Sequence, residues 1–380
     1  MTNAAVNPIK AGLEDVVVST SEICFIDGHQ GRLLYRGFDV DDLAAHSTFE
    51  EVAYLLWYGH LPSQKELEAH VKALSATANR KLPPKLVMIL RQFPKKTTPM
   101  EILRTGVSAL SAFDPDAADN SREATLRKTV RLTAQMPTLA AAWERIRRGK
   151  APVAPNPRLS LAGNFLYMMS GKKPTELATK TLDVALILHA DHEFNASTFA
   201  ARVTAATLSD IHSAVVSGIG ALKGPLHGGA NEQVMRMVER IKDPAKAETW
   251  IRQALASKER VMGFGHRVYR VEDPRAKHLR RLALELGQQA GSTANVEILN
   301  TVARVVSTEK KIFPNVDLYS GAAYASMGIS PDQFTPIFAI SRVAGWAAHV
   351  LEQHGNNRLI RPRSEYTGPT GARYVPLSQR

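Results

Sequence analysis

Cysteine is almost missing from this chain. Only Cys24 occurs, so no internal disulfide can form and no cysteine cluster can hold a metal. Long unbroken apolar runs are lacking as well, which argues against a segment crossing a bilayer. The opening Met1-Thr-Asn-Ala-Ala-Val-Asn-Pro8 has no basic stretch leading into an apolar core, so it does not read as a secretory signal. These shortages predict a cytoplasmic protein free of the membrane. Nucleotide signatures are missing too. No Gly-x-x-x-x-Gly-Lys-Ser/Thr loop is present, no Gly-x-Gly-x-x-Gly opens a helix after a strand, and no Gly-x-Ser-x-Gly elbow occurs.

What is present is an ordinary globular balance, 44% hydrophobic and 22% charged over 380 residues. That length can bury a large core and predicts two domains. Helix signals dominate. Ser63-Gln-Lys-Glu66 is a capping box. Ser47-Thr-Phe-Glu50 predicts a helix through Ala53, Leu56 and Trp57 that stops at Gly59, with Pro62 beyond. Another helix begins near Thr175. Ser330-Pro-Asp-Gln333 predicts a start with proline at the first position and glutamine reaching back, and a helix running to a left-handed stop at Gly355. Strand signals are confined to Phe25–Tyr35, which predicts one hairpin turning near Asp27-Gly28. The fold class predicted is all-α, with a short N-terminal β-hairpin.

Net charge is +12, from 48 Lys+Arg against 36 Asp+Glu. Such an excess suits nucleic acid, or equally a small polyanionic substrate. The densest cluster is Arg145, Arg147, Arg148 and Lys150, and a second holds Lys277, Arg280 and Arg281. Both read first as solvated helix faces, so nucleic acid is not the expected partner.

The chemistry concentrates in two glycine-rich stretches. Gly224-Pro-Leu-His227-Gly-Gly-Ala-Asn231 and Gly263-Phe-Gly-His266-Arg-Val-Tyr-Arg270 each place a histidine where backbone can approach a ligand closely. His227 could equally sit in a plain turn before the helix near Asn231. Arg267, Arg270, Asp273 and Arg275 crowd the segment after His266, either as solvated charge or as clamps for carboxylates. Asn315-Val-Asp317 supplies a carboxylate. Two imidazoles and a carboxylate can take a proton from carbon and hold the enolate.

Two further sites are less settled. His189 and His192, three apart, could share a helix face and with Asp191 and Glu193 hold a metal. No third ligand stands at a diagnostic spacing, so His192 reads otherwise as a pocket contact or a core histidine. Arg342 lies inside the apolar stretch Phe338–Trp346, with Phe338 one turn earlier. A buried charge there needs an anion, either an internal Asp or Glu or a substrate carboxylate.

Taken in order, Gly-Pro-Leu-His-Gly-Gly-Ala-Asn, Gly-Phe-Gly-His-Arg-Val-Tyr, Asp-Pro-Arg-Ala and Pro-Asn-Val-Asp resemble the citrate synthase family. So does Asn357-Arg-Leu-Ile-Arg-Pro-Arg363. The likeness runs from about Gly12 to Gly368, in the short form without the extra N-terminal domain. It implies an all-α homodimer, with a large domain of 1–228 and 329–380 and a small domain of 229–328 on the coenzyme A side. It implies His227, His266 and Asp317 as catalytic residues. His192, Arg275, Arg342 and Arg361 would bind oxaloacetate, Arg361 reaching across from the partner subunit. Glu259, Arg260, Val261, Met262, Gly263 and Arg270 would meet the coenzyme A thioester, which is a substrate; no permanently bound cofactor and no metal are implied. The expected reaction is condensation of acetyl-CoA with oxaloacetate to citrate, or the 2-methylcitrate version with propionyl-CoA. One departure is Thr97-Thr-Pro-Met100, where a histidine is expected before Pro-Met.

Overall fold

Side-chain caps divide most of this chain into helices. The computed structural model describes residues 10–14 and 16–380, so the Met1–Pro8 reading lies outside the described residues. The Ser63 capping box forms as expected, its hydroxyl accepting from the Glu66 N–H while Glu66 reaches back to the Ser63 N–H. Thr175 caps Glu176–His189. The helix expected from Ser47 starts one residue later: Thr48 caps Phe49–Tyr58 by accepting from the Glu51 N–H, and Ser47 bonds Glu51 instead at 2.6 Å. Gly59 ends it with φ of 88°, a conformation that suits a residue without Cβ.

The expectation at Ser330 is corrected. Pro331–Gln333 is a short 3-10 turn, and Phe334–Gly355 follows it. Gln333 does not reach back; its amide donates to Glu144 Oε2 at 2.8 Å. A buried carboxylate outbids the local cap, since leaving it unpaired would cost more. The left-handed stop at Gly355 is also absent. Gly355 stays helical, and Asn356 leaves with φ of −140°.

The hairpin pairs Cys24–Asp27 with Arg32–Tyr35, and Phe38–Asp39 adds a third antiparallel strand. Its turn lies one step later than expected, over 28–31, because Asp27 Oδ1 accepts the His29 and Gln30 N–H groups. The all-α class with a small N-terminal β element therefore holds.

Pro331–Gly355 has the length and mean hydropathy, 1.2, of a membrane span, yet its apolar window is 94% buried within the protein. It is the central core helix. Trp346 and Trp57 are among the largest fully buried side chains, and the Trp57 indole N–H donates to the Ala344 carbonyl at 2.9 Å. Such amphipathic rings are buried with their polar tip satisfied. The Gly345 N–H donates to the Ala190 carbonyl at 3.1 Å, pinning this helix to the end of Glu176–His189. That contact brings Arg342 beside the 189–192 turn.

Candidate active site

Two short backbone pairings assemble the site from segments far apart in sequence. Residues 263–265 run antiparallel to 313–315. Gly265 N–H donates to the Phe313 carbonyl and Asn315 N–H to the Gly263 carbonyl, both at 2.9 Å, with an isolated bridge at Phe264 and Pro314. The Asn315 amide also donates to the Gly265 carbonyl at 3.0 Å. This zip places His266 beside the turn that starts helix Asp317–Ser326. Gly263 permits it: a Cβ there would lie 2.8 Å from a Leu318 methyl and 2.9 Å from Val234, and its φ is +87°.

Each catalytic candidate among the histidines has its tautomer fixed by backbone. His266 Nδ1 accepts the Val268 and Tyr269 N–H groups at 3.0 and 3.2 Å, so its hydrogen sits on Nε2. His227 Nε2 accepts the Ser197 N–H at 3.3 Å and lies 2.8 Å from Ser197 Oγ, so its hydrogen sits on Nδ1. A backbone N–H can only donate, which is why the assignment follows. Burial, reinforced by Arg342, pulls His227 down to about 4. Burial and then Arg275 pull His266 to about 4, against Asp273. Both rings are neutral donors at pH 7.

His192 lies 4.9 Å from His266, ring to ring, and 3.2 Å from the Tyr269 hydroxyl. It is buried, and burial followed by Arg275 holds it well below its ordinary range. The shared helix face expected of His189 and His192 is not observed. His189 is the last residue of its helix, donor to the Ala185 carbonyl, and His192 lies in the following turn. Asp191 is committed to His349 at 3.3 Å. Among the described residues no group of three or more such side chains converges as a metal site would.

Asp317 is half-buried, makes no side-chain hydrogen bond among those described, and desolvation pushes its carboxyl up to about 6; Arg275 opposes, Asp273 adds and Arg342 opposes again. This is the affinity a carbon acid needs in its base near neutral pH. The two arginines differ. Arg275 is not solvated charge: it is 3% exposed and grips Asp273, 1% exposed, through Nε and Nη2 at 2.9 and 2.7 Å. Burial alone would weaken that charge, but Asp273 outweighs it and holds the guanidinium above its ordinary range. Arg342 is equally buried, yet no carboxylate among the described residues pairs with it. Its Nε donates to the His189 carbonyl at 2.7 Å, and its plane covers the Phe338 ring at 4.7 Å. Burial pulls it down to about 10.

The coenzyme A candidates lie on the loop that enters this zip. Glu259, Arg260, Val261 and Met262 border a cavity of about 100 Å³ with Trp250 and Arg240. Arg240 pairs with Glu259 at 2.6 Å and covers the Trp250 ring. The Arg270 side chain is exposed. Arg361 is not brought to the site within one chain; it lies in the exposed, extended stretch after Gly355.

Ser197 was not singled out from sequence, and Asp273 and Gly28 were read there only as a loop charge and a turn residue. Ser197 sets the His227 tautomer and also accepts from the Trp346 indole at 3.2 Å. Asp273 holds Arg275 and accepts the Val316 N–H at 3.3 Å, so it ties the arginine to the Asp317 turn. Its signal was available, an Asp immediately before a proline, the pattern of a helix cap. Gly28, at the hairpin tip, gives its carbonyl to the Arg270 N–H at 2.8 Å. A Cβ on Gly28 would lie 2.2 Å from the Val268 carbonyl oxygen, so only glycine lets the hairpin brace the His266 loop.

Comparison with known proteins agrees along the whole chain. The model of the family described as "Citrate synthase, C-terminal domain" matches residues 12–363. "Citrate synthase 2" of Bacillus subtilis is 48% identical over 370 residues, 97% of this chain and 98% of that protein. The 2-methylcitrate synthase of Mycobacterium tuberculosis strain H37Rv is 44% identical over 360 residues, 95% of this chain and 91% of that one. The citrate synthase structure from Pyrobaculum aerophilum superposes with a TM-score of 0.92 at 43% identity, covering 100% of this chain and 97% of that chain. That from Thermoplasma acidophilum, solved as a ternary complex with carboxymethyl coenzyme A and oxaloacetate, gives 0.91 at 34% identity, covering 99% and 100%.

Proposed function

The chain belongs to the citrate synthase family, and we propose that it condenses acetyl-CoA with oxaloacetate, then hydrolyses the thioester to citrate and free coenzyme A. One observation carries the reading: two neutral imidazoles, locked by backbone as hydrogen-bond donors, accompany a half-buried carboxylate that desolvation pushes up to about 6.

In this reading Asp317 takes a proton from the methyl carbon of the thioester. His227 Nδ1–H donates to the thioester oxygen as negative charge gathers there, and a neutral imidazole suits that oxygen. The enolate carbon attacks the oxaloacetate ketone, forming the carbon–carbon bond. His266 Nε2–H donates to the ketone oxygen, and the new alkoxide takes up a proton on that side. Water then cleaves the thioester, releasing the thiol and the third carboxylate. Arg342 and the free Nη1 edge of Arg275 hold the dicarboxylate with His192, which fixes the ketone for attack. The unpaired Arg342 supports this, because a buried guanidinium with no internal anion gains most from a bound one.

The proposed small domain of 229–328 contributes His266, Arg275 and Asp317, and the rest contributes His192, His227 and Arg342. Closure of one on the other would exclude water from the thioester. Arg361 completes the site from a partner subunit in a homodimer; the exposed Leu359, Tyr366 and Leu377 of its arm support that packing. Coenzyme A lies along Glu259–Gly263, with Arg270 toward its phosphates.

The second reading, 2-methylcitrate synthesis from propionyl-CoA, is favoured by the 44% identity to the mycobacterial enzyme. The two differ by room for one methyl group, worth about 1–3 kcal/mol. Free-thiol release with oxaloacetate, compared between acetyl-CoA and propionyl-CoA, decides between them. Release with neither would overturn the whole assignment. Mixing Arg361→Ala with His266→Ala protein restores part of the activity if sites are shared between subunits, and none if they are not.

A further inference from the structure

One helix grips three successive residues beside the site. On Phe334–Gly355, Arg342, Gly345 and His349 follow one another at spacings of three and four, along one face. Arg342 Nε donates to the His189 carbonyl at 2.7 Å, the Gly345 N–H to the Ala190 carbonyl at 3.1 Å, and His349 Nε2 lies 3.3 Å from the Asp191 carboxylate. The middle point needs glycine, because a Cβ there would collide with Asp191 Oδ1. The next residue after this grip is His192.

What lies behind His349 fixes its direction. Arg202 Nη1 is 3.0 Å from His349 Nδ1. A guanidinium can only donate, so the imidazole hydrogen sits on Nε2 and points at Asp191. Arg202 is held in turn by Glu352 at 2.6 Å, and Glu352 also accepts the Glu22 N–H at 2.9 Å. His349, Asp191 and Arg202 are all buried. Burial would raise the Asp191 carboxyl, but His349 and then Arg342 outweigh it and hold it below its ordinary range.

The far side of His192 is held by the same groups. Glu193 has φ of +54°, a left-handed conformation unfavourable for a residue with a Cβ, and its N–H donates to Asp191 Oδ2 at 3.3 Å. The Phe194 ring has the Arg202 guanidinium over it at 4.6 Å and the His349 ring edge-on at 5.5 Å. By contrast, the His192 ring has a single hydrogen-bond partner among the described residues, the Tyr269 hydroxyl. Tyr269 belongs to the proposed 229–328 domain. With that domain open, only the turn would keep the ring aimed. We propose that His349, braced by Arg202, is a positioning residue for oxaloacetate: it fixes the turn 191–194, and so holds His192 in place relative to Arg342 before residues 229–328 close. The inference rests on the citrate synthase reading and its two domains.

The test uses the full chain and reads oxaloacetate apart from the thioester. His349→Phe keeps a ring but loses both hydrogen bonds. Its oxaloacetate affinity, by calorimetry without acyl-CoA, and its oxaloacetate KM should both weaken about tenfold or more, the scale of one charged hydrogen bond from His192. The acetyl-CoA KM should stay within about twofold, and kcat at saturating oxaloacetate within about threefold. His349→Gln, whose amide can accept from Arg202 and donate to Asp191, should return both oxaloacetate values close to the parent's. Phe194→Ala removes only the ring clamp and should weaken oxaloacetate about threefold, which decides the question if His349→Phe does not fold. A purely structural role would lower the yield of active protein, and so kcat, with the oxaloacetate KM unchanged. That result, a His349→Gln protein as impaired as His349→Phe, or an equal loss toward acetyl-CoA would each overturn the proposal. A parent protein that neither releases thiol nor binds oxaloacetate would sink the enzymatic reading and this inference with it, whereas a reacting parent with unmoved variants sinks the inference alone.

Discussion

The two flanks of the site are buried alike and wired differently. On one, Arg275, Asp273 and the Val316 turn bond to one another and the 263–265 and 313–315 segments pair through backbone, so that flank holds its shape without a ligand and leaves only the Arg275 Nη1 edge and the His266 Nε2–H for substrate. On the other, Arg342 has a carbonyl and an aromatic face but no carboxylate, and His227 has a donor hydrogen with no protein acceptor among those described. The difference teaches which groups build the site and which wait for substrate. A self-satisfied network holds shape, whereas an unsatisfied buried donor stores affinity for an anion.

The bluntest way to break the comparison removes the group both flanks serve. Asp317→Asn is expected to lower kcat by about 10²–10⁴, measured by thiol release. The same change should raise stability at neutral pH. A carboxyl raised from 3.8 to about 6 contributes fully below pH 3.8 and loses that contribution as pH rises through 6, so its ionised form is a burden at pH 7.5. Removing it gains at most about 3 kcal/mol. An unchanged or lowered Tm would show that Asp317 is not desolvated.

Next, Asp273→Ala tests the completed flank. It leaves Arg275 buried and unpaired, at a cost of about 3–5 kcal/mol in denaturant unfolding, and frees the Val316 turn. A cost under 1 kcal/mol would mean the pair is not what holds that flank. Arg342→Leu should do the converse. Stability changes by less than about 1 kcal/mol because an unpaired charge leaves the core, while the oxaloacetate KM rises roughly 10- to 100-fold for loss of a charged hydrogen bond. An unchanged KM would remove Arg342 from the clamp.

Gly28→Ala is a smaller probe. The added methyl meets the Val268 carbonyl, so the hairpin must back away from the His266 loop, at about 1–3 kcal/mol and with kcat/KM down about tenfold. Normal kcat/KM would mean that the brace does not matter. The finest test is the acid limb of kcat/KM. It should fall as pH drops through about 6, where Asp317 gains its proton, and not near 4, where the histidines gain theirs. Because Arg342 favours ionised Asp317, Arg342→Leu should move that limb to higher pH. A shift to lower pH would reverse the assigned coupling.

How much could be read in advance varies by residue. Ser63 and Thr175 were legible because a cap is a contract between neighbours three residues apart. Gln333 was misread because its partner, Glu144, lies 189 residues away. Asp273 looked like one charge among several in a loop, since nothing local says it is 1% exposed. Gly28 was legible as a turn, but not as a brace, because Val268 is distant in sequence.

Amino-acid order alone settled the helical character, the residue types available for proton transfer, and the glycines that let backbone come close. Those follow from spacing and side-chain chemistry. Folding in three dimensions decided which arginine is paired and which ring nitrogen carries hydrogen. It also decided that one helix would grip three successive residues beside His192. Each of these depends on partners that burial and backbone pairing bring together from far along the chain.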